Sequence, residues 1–301
     1  MINKNKQNFW IAMAFLIVPL IIFTFFVVLP VFKAAIYGLF KWNGLGALTG
    51  PNAGRKTKFV GLDNFKQILT DPIFWKAFKN NVKIIVLSLL IELPIALILA
   101  LILSNKSKIN VALRTVFFIP YVVSEVIAGT VWQFIYSPNY GISTTFLASL
   151  FPPGTDFAFL GHQETVFNAI FIVVIWKYFG LYMILYIAGL QGISDDIREA
   201  AAIDGASPLQ LNWYIIIPLL LPTIVVTLFF CIVGSLQTFD VIWAMGKGDP
   251  VNAAETMVTY LYKFGFRRTQ MGYGSATAIV IFLICVTFNA VYQKLTTGKK
   301  N

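Results

Sequence analysis

Arg198-Glu199-Ala200-Ala201-Ala202-Ile203-Asp204-Gly205-Ala206-Ser207-Pro208 is a short polar stretch between two long apolar runs, Val166 to Leu190 and Tyr214 to Leu236. Apolar runs of that length cross a bilayer, so the polar stretch is a loop returned to water between two spans. It nevertheless carries the marks of fixed structure. Ser194 is an N-cap residue, and Asp195, Asp196 and Glu199 place negative charge on the first turn, where the helix dipole favours it. Three alanines favour helix and leave a narrow face that another surface can approach closely. Gly205 falls where a helix closes on a left-handed residue. Ser207 then offers a fresh N-cap, with Pro208 at the first helical position. The stretch predicts a helix, a sharp glycine turn and a second helix, displayed on one membrane face.

The rest of the chain agrees with a membrane setting. Of 301 residues, 58% are hydrophobic and only 12% charged, where soluble domains average about 25% charged. The net charge of +10 is scattered over loops with no basic stripe or RNA motif, which argues against nucleic acid and for anionic lipid headgroups. Phe9 to Phe32 forms a first span of roughly 36 Å at 1.5 Å per residue. It is longer than a signal-peptide core and no A-x-A cleavage site follows it, so it reads as retained. Five further runs follow: Asn81 to Leu103, Ala112 to Tyr136, Val166 to Leu190, Tyr214 to Leu236, and a short last one, Ser275 to Tyr292. The expectation is an all-α polytopic membrane protein, a single transmembrane domain over residues 1–301 with six helices and a helical loop between the fourth and fifth.

Between the first two runs, Gly44, Gly46, Gly50, Pro51 and Gly54 mark a flexible connection. Asp63 with Phe65, Ile68 and Leu69 predicts a short amphipathic helix. Asp71-Pro72 starts another, with Phe74, Trp75 and Phe78 on one face and Lys76 and Lys79 beside it. Such helices lie in the membrane interface; docking of an external protein is the alternative. Lys106, Lys108 and Arg114 cluster at one short turn and Lys294, Lys299 and Lys300 mark the tail, so the positive-inside rule, weighted to short segments, places both termini in the cytoplasm.

Ionisable residues in spans are costly and mark a functional site or an internal pair. Here they are Glu92, Glu125, Lys83 and Lys177. The two lysines are expected to snorkel toward an interface. Glu92 precedes Leu93-Pro94, a predicted kink that frees carbonyls, and Glu125 follows Pro120. Hydrogen bonding inside the bundle accounts for both carboxylates; a proton relay in an ion-coupled carrier is the rival reading. Aromatic faces with nearby hydrogen-bonding side chains suit sugars. Tyr178, Tyr182, Gln237, Phe239, Asp240, Trp243 and Asn289 supply that mix along the spans.

The loop also resembles a known family. Permease subunits of binding-protein-dependent ABC importers carry a cytoplasmic loop of pattern E-A-A, three residues, G, nine residues, I-x-L-P. Glu199-Ala200-Ala201, Gly205 and Ile215-x-Ile217-Pro218 match in register, with Ile217 in place of leucine. The string through Pro222 is similar to the carbohydrate branch, the maltose- and glycerol-phosphate-type permeases. Leu113 to Pro120 followed by Trp132, Gly61 to Phe65, and Phe239-Asp240 leading to Gly248, Pro250 and Tyr262 resemble their "first" permease subunits. Gly246-Lys247-Gly248-Asp249-Pro250 departs from it, standing where the family usually has a G-G-P run. The resemblance places the permease core at about residues 76–294. It implies import of an oligosaccharide or glycoside by alternating access, with Glu199, Ala200, Ala201, Asp204 and Gly205 coupling the chain to ATPase subunits. The implied partners are a second homologous permease forming a heterodimer, two ATPase subunits that hold the ATP and Mg, and an extracytoplasmic sugar-binding protein.

The chain itself is expected to bind no cofactor or metal. It has no G-x-x-x-x-G-K-[ST] phosphate loop, no H-E-x-x-H and no G-x-S-x-G, and its single histidine, His162, reads as solvated in an outer loop. Cys231 and Cys285 lie in apolar runs without C-x-x-C spacing and read as packing residues. An enzyme is therefore not expected.

Overall fold

The computed structural model describes residues 4–50, 54, 57–105, 107–142, 145, 146, 149, 150, 152 and 156–297, with side chains from 13 to 296. Pro51, Lys106, Lys299 and Lys300 lie outside the described residues. Four helices are long and apolar enough to cross a membrane: Met13–Tyr37, Pro72–Leu103, Val166–Gln191 and Met271–Thr296. Two bent pairs complete six spans when each pair counts as one: Lys108–Val122 with Glu125–Ile135, turned by 97°, and Pro208–Leu219 with Leu221–Gln237, turned by 69°. The only sheet among the described residues is the antiparallel pair Phe40–Lys41 and Lys58–Phe59.

Several boundaries differ from the sequence expectation. The helix starting at Pro72 does not lie apart in the interface but runs on to Leu103 as the second span. Asn80 and Asn81 look like a polar interruption, yet both are buried and used: the Asn80 side-chain amide donates to the Ala253 and Glu255 carbonyls at 2.9 and 2.8 Å, and that of Asn81 to the Ser235 carbonyl at 2.7 Å. Asn81 Oδ1 accepts from the Met257 N–H at 2.9 Å. The third and fifth runs are broken rather than straight. The sixth begins at Met271, ahead of Ser275. The stretch after Gln237, expected as loop, is partly helical, with Asp240–Gly246 closed by Lys247 at φ 57°.

Proline explains a recurring feature of the spans. Leu29, Leu93 and Ile217 each precede a proline, and each donates its N–H five residues back, to the Thr24, Ser88 and Asn212 carbonyls. A proline ring in a helix crowds the carbonyl four residues before it. Widening the preceding turn by one residue relieves that contact and keeps the carbonyls bonded. The predicted kink at Pro94 is therefore a widened turn inside a continuous span.

The chain forms two compact units, Met1–Asp71 with Leu261–Thr287, and Pro72–Tyr260 with Phe288–Asn301. In the first unit, the Met13–Tyr37 helix keeps its apolar side chains exposed from Phe15 to Val27, as hydrocarbon-facing residues are. The Asp63–Thr70 helix packs through Ile68 and Asn64, and Asn64 donates to the Gly38 and Phe40 carbonyls at 2.8 and 3.0 Å. In the second unit the fourth span is the hub. It is buried over more of its length than any other candidate span, and it supplies Val166, Ile170, Val173 and Val174 to one cluster and Tyr182, Met183, Tyr186 and Leu190 to another. Ala96 and Ala100 of the second span, one turn apart and fully buried, belong to the latter cluster. Small residues at this spacing permit close helix approach.

Within the second unit the tightest approach at a glycine is at Gly180, where a methyl group would sit 2.0 Å from the Phe117 carbonyl oxygen. A Gly180→Ala substitution is expected to destabilise the protein by about 1–3 kcal/mol through overpacking, read as a lower melting temperature in detergent. An unchanged melting temperature would show that the third and fourth spans are not in contact there.

Candidate functional site

The loop between the fourth and fifth spans folds as its local signals dictate. Ser194 Oγ accepts from the Asp196 N–H at 3.2 Å and caps the Asp195–Ile203 helix. The helix closes with the Ala206 N–H on the Ala201 carbonyl at 3.0 Å and the Gly205 N–H on the Ala202 carbonyl at 3.1 Å. That pattern is a Schellman turn with Gly205 in the left-handed position, at φ 78°. Nothing lies within 4 Å of where a Gly205 side chain would begin, so its cost would be backbone strain alone. One residue on, Ser207 and Gln210 form a reciprocal capping box: Gln210 Oε1 accepts from the Ser207 N–H at 2.8 Å and Ser207 Oγ from the Gln210 N–H at 3.3 Å. Pro208 opens the fifth span, which continues without an intervening loop.

Only Ala201 of this helix is buried, at 6% exposure. Glu199, Ala200, Ala202, Asp204 and Gly205 are exposed. So are Ile203, Leu209, Trp213 and Tyr214, with Ile203 at 86%. The sequence pattern singled out the acidic and small residues of this face but not its exposed apolar ones. Beside the helix, Ser104, Asn105, Gln191, Asp195 and Arg198 line an open recess of about 520 Å³. Arg114 closes the end of the second span there, donating to the Leu103 carbonyl at 2.8 Å through Nε and to the Asn105 carbonyl at 2.8 Å.

Within the membrane, the break in the third span is held by the fourth. Lys177 does not snorkel. It is 2% exposed and donates to the Pro120, Tyr121 and Val123 carbonyls at 3.3, 3.3 and 2.6 Å. These carbonyls end the Lys108–Val122 segment, where a cation also meets the negative end of the helix dipole. Glu125 lies in the first turn of the second segment and accepts from the Tyr178 hydroxyl. Of the rival-relay carboxylates, Glu125 is thus bonded inside the bundle, while Glu92 sits in the second span at 1% exposure.

The remaining sugar-suited residues are dispersed. Tyr182 is buried among Leu93, Ala96, Met183 and Cys231. Phe239 and Trp243 stack with centroids 5.7 Å apart and planes 16° apart. Gln237 and Asp240 are exposed near them in sequence. Asn289 Oδ1 is buried without a hydrogen-bond partner. Cys231 and Cys285 are free thiols. His162 is exposed, and its Nε2 lies 2.6 Å from Asp156 Oδ2, itself exposed. The Ala158 N–H, and then His162, hold the Asp156 carboxyl below its usual value.

Comparison with known proteins decides the family. The model for the binding-protein-dependent transport system inner membrane component matches residues 92–300. The chain belongs to that family. A probable ABC transporter permease protein of Bacillus subtilis, YurN, is 32% identical with 100% of each chain covered. The multiple sugar-binding transport system permease protein MsmF of Streptococcus mutans is 31% identical over 98% of each. The trehalose/maltose transport system permease protein MalF of Thermococcus litoralis is 32% identical over 79% of each. Among solved structures, a bacterial alginate ABC transporter, in complex with an alginate pentasaccharide-bound periplasmic protein, superposes with a TM-score of 0.80 at 24% identity, over 97% of this chain and 96% of that one. At that identity it shows the fold. The chain is thus a multi-pass permease, and none of these relatives supports the ion-coupled alternative built on Glu92 and Glu125.

The Lys177 clamp makes a stability prediction for this permease. Lys177→Met leaves three carbonyls, that of Pro120 buried, without this donor and is expected to cost about 2 kcal/mol, measured by thermal unfolding in nanodiscs. Lys177→Arg keeps a cation and donors and should retain most of that stability. Equal melting temperatures for the two variants would refute the clamp.

Proposed function

We propose that this permease imports a carbohydrate, an oligosaccharide or glycoside, by alternating access. It pairs with a second homologous permease as a heterodimer. Two ATPase subunits hold ATP and Mg²⁺, and an extracytoplasmic sugar-binding protein delivers the substrate; this chain binds no nucleotide and hydrolyses nothing. Both termini are cytoplasmic, which puts the Asp195–Ile203 helix on the side of the ATPases. The sugar-transporting relatives support the substrate class.

The observation that carries the reading is the displayed helix with a fixed turn on each side. Its roles divide by exposure. Ala201, buried at 6% exposure, seats the helix on its own chain. Glu199 and Ala200, with the exposed Ile203 beyond them, present a narrow face to a cleft on the ATPase. Asp204 and Gly205 fix the turn that points it. The path for sugar runs along Tyr178, Tyr182 and Asn289 to Gln237, Phe239, Asp240 and Trp243. Phe239 and Trp243 already form an aromatic stack, and Asn289 holds an unspent buried acceptor.

The test is a mild-detergent pull-down of the tagged chain from its native host, wild type against a Glu199→Ala/Gly205→Asp double variant. The wild type should retain an ATPase and a second permease, and the variant should lose the ATPase alone. A wild-type chain that comes down by itself and still transports sugar into vesicles overturns the reading.

A further inference from the structure

The Met1–Asp71 and Leu261–Thr287 unit contains a polar recess that the path above does not use. It measures about 560 Å³, within the roughly 300–1,000 Å³ of small-molecule pockets. It lies where the first span ends and the sixth begins, so with a cytoplasmic N-terminus it faces outward. Three segments wall it. The end of the Phe40–Lys41 strand contributes Lys41 and Trp42. The Asp63–Thr70 helix contributes Asp63 and Gln67, four residues apart and therefore on one face. The turn before the sixth span contributes Arg268, Thr269 and Gln270.

These walls are held in place. Asn64 ties the helix to the Gly38 and Phe40 carbonyls, the Gly272 N–H donates to the Trp42 carbonyl at 3.0 Å, and Tyr37 packs on Trp42 with centroids 4.8 Å apart. The Arg268 guanidinium sits 4.2 Å over the Phe264 ring. Thr269 has φ 53°. A β-branched residue there is strained, and such strain persists where surrounding structure demands it. Here it sets Arg268 and Gln270 on the recess wall.

We propose that this recess is a saccharide-binding site outside the membrane, separate from the path between the spans. The proposal rests on the importer reading and adds to it. A sugar ring offers an apolar C–H face and neighbouring hydroxyls that each donate and accept. Trp42 supplies an aromatic surface for the first, and the Gln67 and Gln270 carboxamides, which donate and accept, suit the second. Asp63 accepts from hydroxyls. Lys41 and Arg268 against one carboxylate leave a net positive charge, so an acidic sugar binds more tightly than its neutral counterpart.

The test is saturation-transfer NMR on the full-length chain in lipid nanodiscs, with maltose, cellobiose and digalacturonate as probes. Transfer is expected to at least one, strongest for digalacturonate. A Gln67→Ala/Arg268→Ala double variant, both side chains being exposed, should keep its helical spectrum and lose affinity by about tenfold. No transfer from any probe to the wild type, or transfer that survives the double substitution, overturns the proposal. Neither result touches the importer reading, because the pull-down outcome does not depend on this recess.

Discussion

A backbone carbonyl in hydrocarbon has no water to bond, and most of the internal architecture follows from that constraint. Several departures from a straight helix here are matched to a specific partner. Before Pro30, Pro94 and Pro218 the turn widens, and the Thr24, Ser88 and Asn212 carbonyls accept from five residues on. Where the third span breaks outright, one ammonium replaces the missing donors at three carbonyls. Where the chain leaves the fifth span and returns toward the sixth, Asn81 bonds the Ser235 carbonyl at the end of that span and Asn80 the Ala253 and Glu255 carbonyls of the return. Polar residues inside the second unit are thus largely committed to backbone. This is why a lysine and two asparagines in or near apolar runs need no substrate or ion to explain them.

What was legible in the sequence was what is local. Caps, a left-handed glycine and first-turn acids act within a few residues, so the helix, turn and helix around Gly205 could be read in full. Composition over about twenty residues likewise marked the six runs. Direction was not legible. Hydropathy is blind to a 97° turn, and Pro120 alone does not place the break after Val122, because the donor that makes a break there tolerable is Lys177, 57 positions on. The N-terminal extension of the second span, from Pro72 to Asn80, is hidden from hydropathy for the same reason. Asn80 and Asn81 look like an end to hydrophobicity until their partners, more than 150 positions away, are known. The apolar residues Ile203, Leu209, Trp213 and Tyr214 were passed over because exposure depends on what else packs there.

The loop's rigidity has a mechanical consequence that extends past the loop. A Schellman turn and a capping box meet at Gly205 to Ser207, leaving no unbonded stretch between the Asp195–Ile203 helix and the fifth span. The span then runs through Leu219 before it turns by 69°. A displacement imposed on the exposed face at Glu199 therefore cannot be absorbed in the loop. On the proposed reading it would be carried along Pro208–Leu219 to the bend. Leu220, at that bend, is 1% exposed and packed in the cluster formed by Tyr182, Met183, Tyr186 and Leu190 of the fourth span. The bend is accordingly a packed fulcrum, not a loose joint. Motion arriving there must either shift the fourth span, around which the second unit is built, or swing Leu221–Gln237 against it. On the proposed importer reading, both outcomes would move the segment that leads to Gln237, Phe239 and Trp243, so a push at the ATPase side would be delivered at the opposite face.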